Sequence, residues 1–126
     1  MYIQHNENPD NILVGDCVIR AIAKVMNKSW EDIYVQICLQ GFIMKDMPSS
    51  NNVWGSFLTE NHFERMMIPN TCPYCYTIID FCKDNPKGKF IIATGTHVVA
   101  IIDGDYYDTW DSGHEVPLYF FIERRD

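Results

Sequence analysis

The chain has 126 residues, 47% hydrophobic and 21% charged, with a formal net charge of −7. That length suits one domain, 1–126, able to bury about two-thirds of its unfolded surface, so neither disulfides nor a metal or other cofactor is required to fold it. The negative charge argues against a nucleic-acid partner, whose binding rests on Lys and Arg neutralising phosphates. No run of about 18 apolar residues exists to span a membrane.

The opening "MYIQHNENPDN" is polar and lacks the basic-then-apolar pattern of an export signal. The expected location is therefore cytoplasmic, with the five cysteines present as reduced thiols.

"GDCVIRAIAKVM" predicts a helix that starts at Asp16 as N-cap and ends near Met26 before "NKS". Its polar positions Asp16, Arg20 and Lys24 form one narrow stripe, and the rest of the helix is apolar. Such a helix is surrounded by protein. "SWEDIYVQICLQG" predicts a second helix, with Ser29 and Asp32 as a capping-box variant and Gly41 as a C-terminal stop. Trp30, Ile33, Tyr34, Ile37 and Cys38 give its core-facing stripe. "PSSNNVWGSFLTEN" holds a third helix and "CYTIIDFCKDN" a fourth.

The period then changes. "KFIIAT", "THVVAII", "DYYDTW" and "PLYFFIE" are short runs rich in β-branched and aromatic residues, with "FERMMIP" as a candidate edge strand. Helices first and an antiparallel meander after them predict an α+β domain, its sheet packed on the first helix.

The chemistry starts at Cys17. A free thiol near pKa 8.5 is a few per cent ionised at neutral pH, so a nucleophilic cysteine needs help. The start of a helix offers about half a positive charge, and a nearby imidazole would take the proton. Asp16 opposes this unless its carboxylate turns into capping bonds. Of four histidines, His97 stands out because it heads the apolar strand "HVVAII". An imidazole there needs a partner, since an unpaired buried polar group costs about 1–3 kcal/mol. Read as a three-residue loop, "DGD" (Asp103 to Asp105) sets Asp111 directly opposite His97 and turns Asp108 to the other face. A two-residue "DG" turn would instead place Trp110 opposite. Nucleophile, base and orienting acid together follow the logic of a catalytic triad.

"GDCVIRAIA" followed by "GTHVVAIIDGDYYDTWDSG" resembles the papain-like cysteine peptidase superfamily, and more narrowly its short bacterial and bacteriophage members. The resemblance implies a papain-like fold with the nucleophile on a central helix and the histidine on the sheet. It implies a cysteine peptidase or amidase acting on a peptide or protein substrate through a thioester. Cys17 would then be the nucleophile, His97 the base and Asp111 the orienting acid. The superfamily's oxyanion-binding side-chain amide would fall to Asn11, where Gln is commoner, with Gln4 as second candidate.

Other readings stay beside these. Cys17 could be a buried small hydrophobe, His97 a core histidine bonded to a carbonyl, and Asp111 a turn residue in "DSG". Asn11 could simply start a turn, and Trp110 could wall the site. A papain-like scaffold could also hold a peptide without cleaving it. "TCPYC", Cys72 to Cys75, carries the spelling of a glutaredoxin-type thiol oxidoreductase or half a zinc site, or is a proline-containing turn entering a helix.

Overall fold

A computed structural model describes residues 1–124. Ten elements follow in order: β1 (Tyr2–Gln4), α1 (Cys17–Met26), α2 (Trp30–Met44), α3 (Asn51–Glu60), β2 (Phe63–Met67), α4 (Ile78–Asp84), β3 (Lys89–Ala93), β4 (Val98–Ile102), β5 (Asp105–Asp108) and β6 (Tyr119–Glu123). The fold is α+β, with four helices and a six-stranded mixed sheet ordered β1-β5-β4-β3-β6-β2.

The alternation of apolar side chains along β3 and β4 divides the core. Ile91, Ala93, Val98 and Ala100 face α1, α2 and α3, whereas Phe90, Ile92, Val99 and Ile101 face α4. Helices therefore cover both faces, which is why these two strands read as almost continuous apolar runs. The expected meander covers β3, β4 and β5 only. β6 returns to pair with the opposite edge of β3, and β1 adds a parallel strand beside β5. β2 is the edge strand anticipated from "FERMMIP".

α1 spans the expected residues and ends at Asn27, whose left-handed backbone (φ 55°) closes bonds to Ala23 and Lys24. α2 differs from expectation at its end. It runs through Gly41 to Met44, and Lys45 takes the left-handed cap at φ 59°. Gly41 serves close approach: a Cβ there would meet the Asp46 carbonyl oxygen at 2.8 Å, because the chain folds back over this turn. Ser29 caps α2 by accepting from the Asp32 N–H, while the Asp32 carboxylate accepts from Gln36, so the box is half formed. Tyr34 of the expected core stripe is about half exposed. The full capping box belongs to α4, between Thr77 and Asp80.

The β4–β5 turn fixes the site. Asp103 and Gly104 both have positive φ, 50° and 81°, the conformation that Asp-Gly favours in a two-residue hairpin turn. Ile102 pairs with Asp105 and Ala100 with Tyr107. The three-residue loop is thus corrected by one residue, which reverses the face of every side chain beyond it.

Candidate active site

Cys17 is the first residue of α1, half-buried. Asp16 precedes it but makes no side-chain capping bond. Its buried carboxylate is taken elsewhere, accepting from Arg20 Nε at 2.8 Å, Trp30 Nε1 at 2.9 Å and Asn8 Nδ2 at 3.3 Å. The first helical backbone bond is donated by Arg20 to the Asp16 carbonyl. Among the described residues nothing accepts from the N–H groups of Cys17, Val18 or Ile19, so the positive end of the helix stays open at the thiol.

His97 sits in the turn between β3 and β4, where its carbonyl accepts from the Thr94 N–H at 2.9 Å. The ring donates through Nε2 to Asp108 Oδ2 at 2.6 Å and packs against Trp110 with centroids 5.0 Å apart. Nδ1 is therefore the ring nitrogen left to act on Cys17, whose thiol this ring lowers more than any other group does.

The orienting acid is Asp108, which corrects the expectation of Asp111. Asp108 closes β5, and in the observed register its carboxylate, not that of Asp111, meets the His97 ring. Its buried carboxylate is saturated. Oδ2 also accepts from Ser112 Oγ at 2.6 Å, and Oδ1 accepts from the Thr109 N–H at 2.8 Å and Arg20 Nη1 at 3.3 Å. Asp111 is exposed and accepts instead from the Tyr106 hydroxyl and the Gly113 N–H.

These contacts set the charges. Burial alone would push the Cys17 thiol up. Hydrogen bonds from His97 and the Val98 N–H, with the charges of His97 and Arg20, outweigh it and hold the thiol below its ordinary value. Burial alone would lower the imidazole, yet the bonds to Asp108 and Cys17 and their charges raise His97 to about 9. Asp108 is held below the ordinary carboxylate value because its hydrogen bonds from His97 and Ser112 outweigh burial. Both shifts act in the same sense, favouring a thiolate beside an imidazolium more than either group would in isolation.

Arg20, Ser112 and Asn8 were not anticipated as site residues. Arg20 bonds both Asp16 and Asp108 and has a side chain only 12% exposed. The signal was present: an i, i+4 Asp–Arg pair on an otherwise apolar helix must find its partners within the protein. Asn11 lies in an exposed turn at φ 54°, and its side chain makes no hydrogen bond among the described residues. It lines an open cavity of about 530 Å³ together with Gln4, His5 and Thr109. The amide tied to the site belongs to Asn8.

Cys72 and Cys75 are joined as a disulfide, which corrects the expectation of reduced thiols throughout. They lie in a turn held by Asn70 and Thr71, whose side chains bond the backbone of Cys72, Tyr74 and Tyr76. That turn brings the two Cα atoms to 4.1 Å. Cys38 and Cys82 are free, and burial pushes the Cys82 thiol up to about 11. Among the described residues no group of three His, Cys, Asp or Glu is placed to hold a metal, and no helix is long and apolar enough to cross a membrane. Comparison of the chain with models of known protein families, with curated proteins and with solved structures finds no match.

Proposed function

We propose that the protein is a papain-like cysteine hydrolase, a peptidase or amidase that works through a thioester. The observation that carries the reading is the arrangement at the tip of α1: His97, the largest influence lowering the Cys17 thiol, is held through Nε2 by the saturated carboxylate of Asp108.

In the reaction, the Cys17 thiolate attacks an amide carbonyl carbon and the carbonyl electrons move onto oxygen. The unpartnered N–H groups of Cys17 and Val18 are the donors placed to receive that oxyanion. As the C–N bond breaks, the His97 imidazolium gives its proton to the leaving amine, producing a thioester and a neutral ring. Neutral His97 then takes a proton from water, whose hydroxide attacks the thioester. The C–S bond breaks, the carboxylic acid product leaves and gives its proton to solvent, and the thiolate–imidazolium pair is restored. Asp108 keeps its charge throughout, fixing the ring orientation and the tautomer with Nε2 protonated.

The direct test is selective alkylation. Iodoacetamide at about pH 6 is expected to label Cys17 ahead of Cys38 and Cys82, because only a thiol with a depressed pKa is ionised there. His97→Ala should lose the preference, and an epoxide-type cysteine-peptidase inhibitor should modify Cys17 in the wild-type protein. Equal labelling of all three thiols, unchanged in His97→Ala, would refute the reading. Selective labelling without turnover of any peptide would favour a binding module that holds a peptide uncleaved. The exposed position of Cys72 in its disulfide favours a second reading, thiol–disulfide exchange. It predicts loss of activity in the Cys72→Ser/Cys75→Ser protein.

A further inference from the structure

A cavity of about 410 Å³ opens beside the first turn of α1, between it and α2, and His97 does not line it. Its walls are Val18 of α1, Trp30, Tyr34 and Cys38 of α2, and Val14 and Pro48 at the mouth. Residues on both sides of the nucleophile in the chain, Asp16 and Val18, belong to this wall, so the cavity adjoins the first turn that carries Cys17. The Trp30 and Tyr34 rings stack with centroids 5.0 Å apart and make one side a flat aromatic surface. The one carboxylate in the wall, Asp16, is already occupied by Arg20, Trp30 and Asn8. What remains is an apolar hollow within the size range of ligand pockets. The cavity between α3 and the sheet, lined by Asn51, Glu60 and Arg65, contains no residue of the catalytic constellation.

We infer that this hollow receives an apolar side chain of the substrate, on the acyl side of the attacked amide, so that the enzyme acts on hydrophobic peptide segments. The inference rests on the cysteine-hydrolase reading and adds to it the substrate class. An aromatic or branched aliphatic group would stack on Trp30 and lose its water shell beside the thiol. A carboxylate would be desolvated there, where no Lys, Arg or His among the described residues lines the wall to receive it. Val14, half exposed at the mouth, extends the apolar surface towards solvent.

The test uses matched acetyl-dipeptidyl chloromethyl ketones carrying Phe, Gly or Asp at either acyl-side position. In each, Cys17 Sγ bonds the methylene carbon and chloride leaves, and modification is followed by peptide mapping. Phe at one of the two positions is expected to react roughly tenfold or more faster than Gly, saturating with probe, and Asp more slowly than Gly. Val14→Arg and Cys38→Trp should each bring the Phe/Gly ratio down towards one. Equal rates for the three probes, while iodoacetamide still selects Cys17, would overturn the pocket and leave the hydrolase reading standing. Failure of iodoacetamide to select Cys17 would instead overturn the hydrolase reading. The pocket can also be read without that chemistry: in Cys17→Ser, saturating N-acetylphenylalaninamide should slow Cys38 alkylation about twofold or more. An unchanged Cys38 rate would refute the inference.

Discussion

The assignment of Asp108 as the orienting acid can be tested by a substitution that keeps its shape. Asp108 accepts four hydrogen bonds: His97 and Ser112 donate to one oxygen, the Thr109 N–H and Arg20 to the other. An asparagine has one acceptor oxygen and one NH2. Whichever way it turns, its N–H groups confront a pair of donors. Facing His97, the NH2 would require Nε2 to accept, which moves the ring proton to Nδ1 and points it at Cys17. That is the wrong tautomer for a base, and in a serine triad the equivalent change costs roughly 10⁴ in turnover. Facing Thr109 and Arg20, the amide would leave a backbone donor unpaired at about 1–3 kcal/mol.

Asp108→Asn is therefore expected to slow Cys17 alkylation at about pH 6 by roughly a hundredfold, between these two limits. It should also move the alkaline limb of any pH–rate profile down from about 9, because the imidazolium loses its anionic partner. Asp111→Asn is the contrast. Among the described residues Asp111 holds Tyr106 and Gly113, so the change should lower stability only slightly and leave Cys17 reactivity within about twofold. Alkylation rates from mass-spectrometric time courses, measured beside thermal unfolding, separate the two. Wild-type reactivity in Asp108→Asn with loss in Asp111→Asn would refute the register argument.

Arg20→Met should leave two buried carboxylates without their shared cation, costing about 3–5 kcal/mol by denaturant unfolding; in the fraction still folded, the pH midpoint of Cys17 alkylation should rise. His97 is raised from 6.5 to about 9 in the folded protein, so its contribution to stability is complete below about pH 6.5 and lost as pH rises through 9; the unfolding temperature should fall across that window in wild type and far less in His97→Gln. Gly41→Ala, which in an open helix would stabilise by about 1 kcal/mol, should destabilise here because the new Cβ meets backbone at 2.8 Å. Replacing Cys72 and Cys75 by Ser should leave Cys17 reactivity intact, since no side chain of that turn bonds the site among the described residues; loss of it would favour the disulfide reading.

Element by element, most of the fold could be read from the residues. Period and caps placed all four helices, and β-branched runs placed β2 to β6. β1 was missed because three residues of a polar segment carry too little alternation; its bonds to β5, Tyr2 opposite Tyr106 and Gln4 opposite Asp108, are backbone bonds that any side chains allow. Cys17 and His97 were legible because each broke a pattern: a thiol at a helix start, an imidazole at the head of an apolar strand. The acid was misplaced by a single backbone decision. Asp103 in the left-handed conformation shortens the loop by one residue, and local chemistry favoured that choice, since Asp-Gly is a strong two-residue signal. A three-residue loop is also a common hairpin length, and it sets a different residue opposite His97. Arg20 was visible as part of a polar stripe but not as a link, because its link to Asp108 crosses from helix to sheet.

That link explains how a thiolate can exist beside Asp16 and Asp108. Each carboxylate in this cluster penalises a further negative charge on the sulfur. The helix end contributes only about half a positive charge. Arg20 reaches Asp16 through Nε and Asp108 through Nη1, so one guanidinium serves both acids. His97 supplies the second cation. Counted with the thiolate, the cluster then carries one net negative charge, and without Arg20 it would carry two. A lysine could not take this place, because a point charge cannot present two separated donors to two carboxylates at once. On the proposed reading the narrow stripe on α1 has a role beyond packing: Asp16 anchors the arginine, the arginine offsets the acids' field at the sulfur, and the helix tip stays uncapped for an oxyanion. An N-cap that bonded its own helix would have filled the N–H groups that the proposed reaction needs.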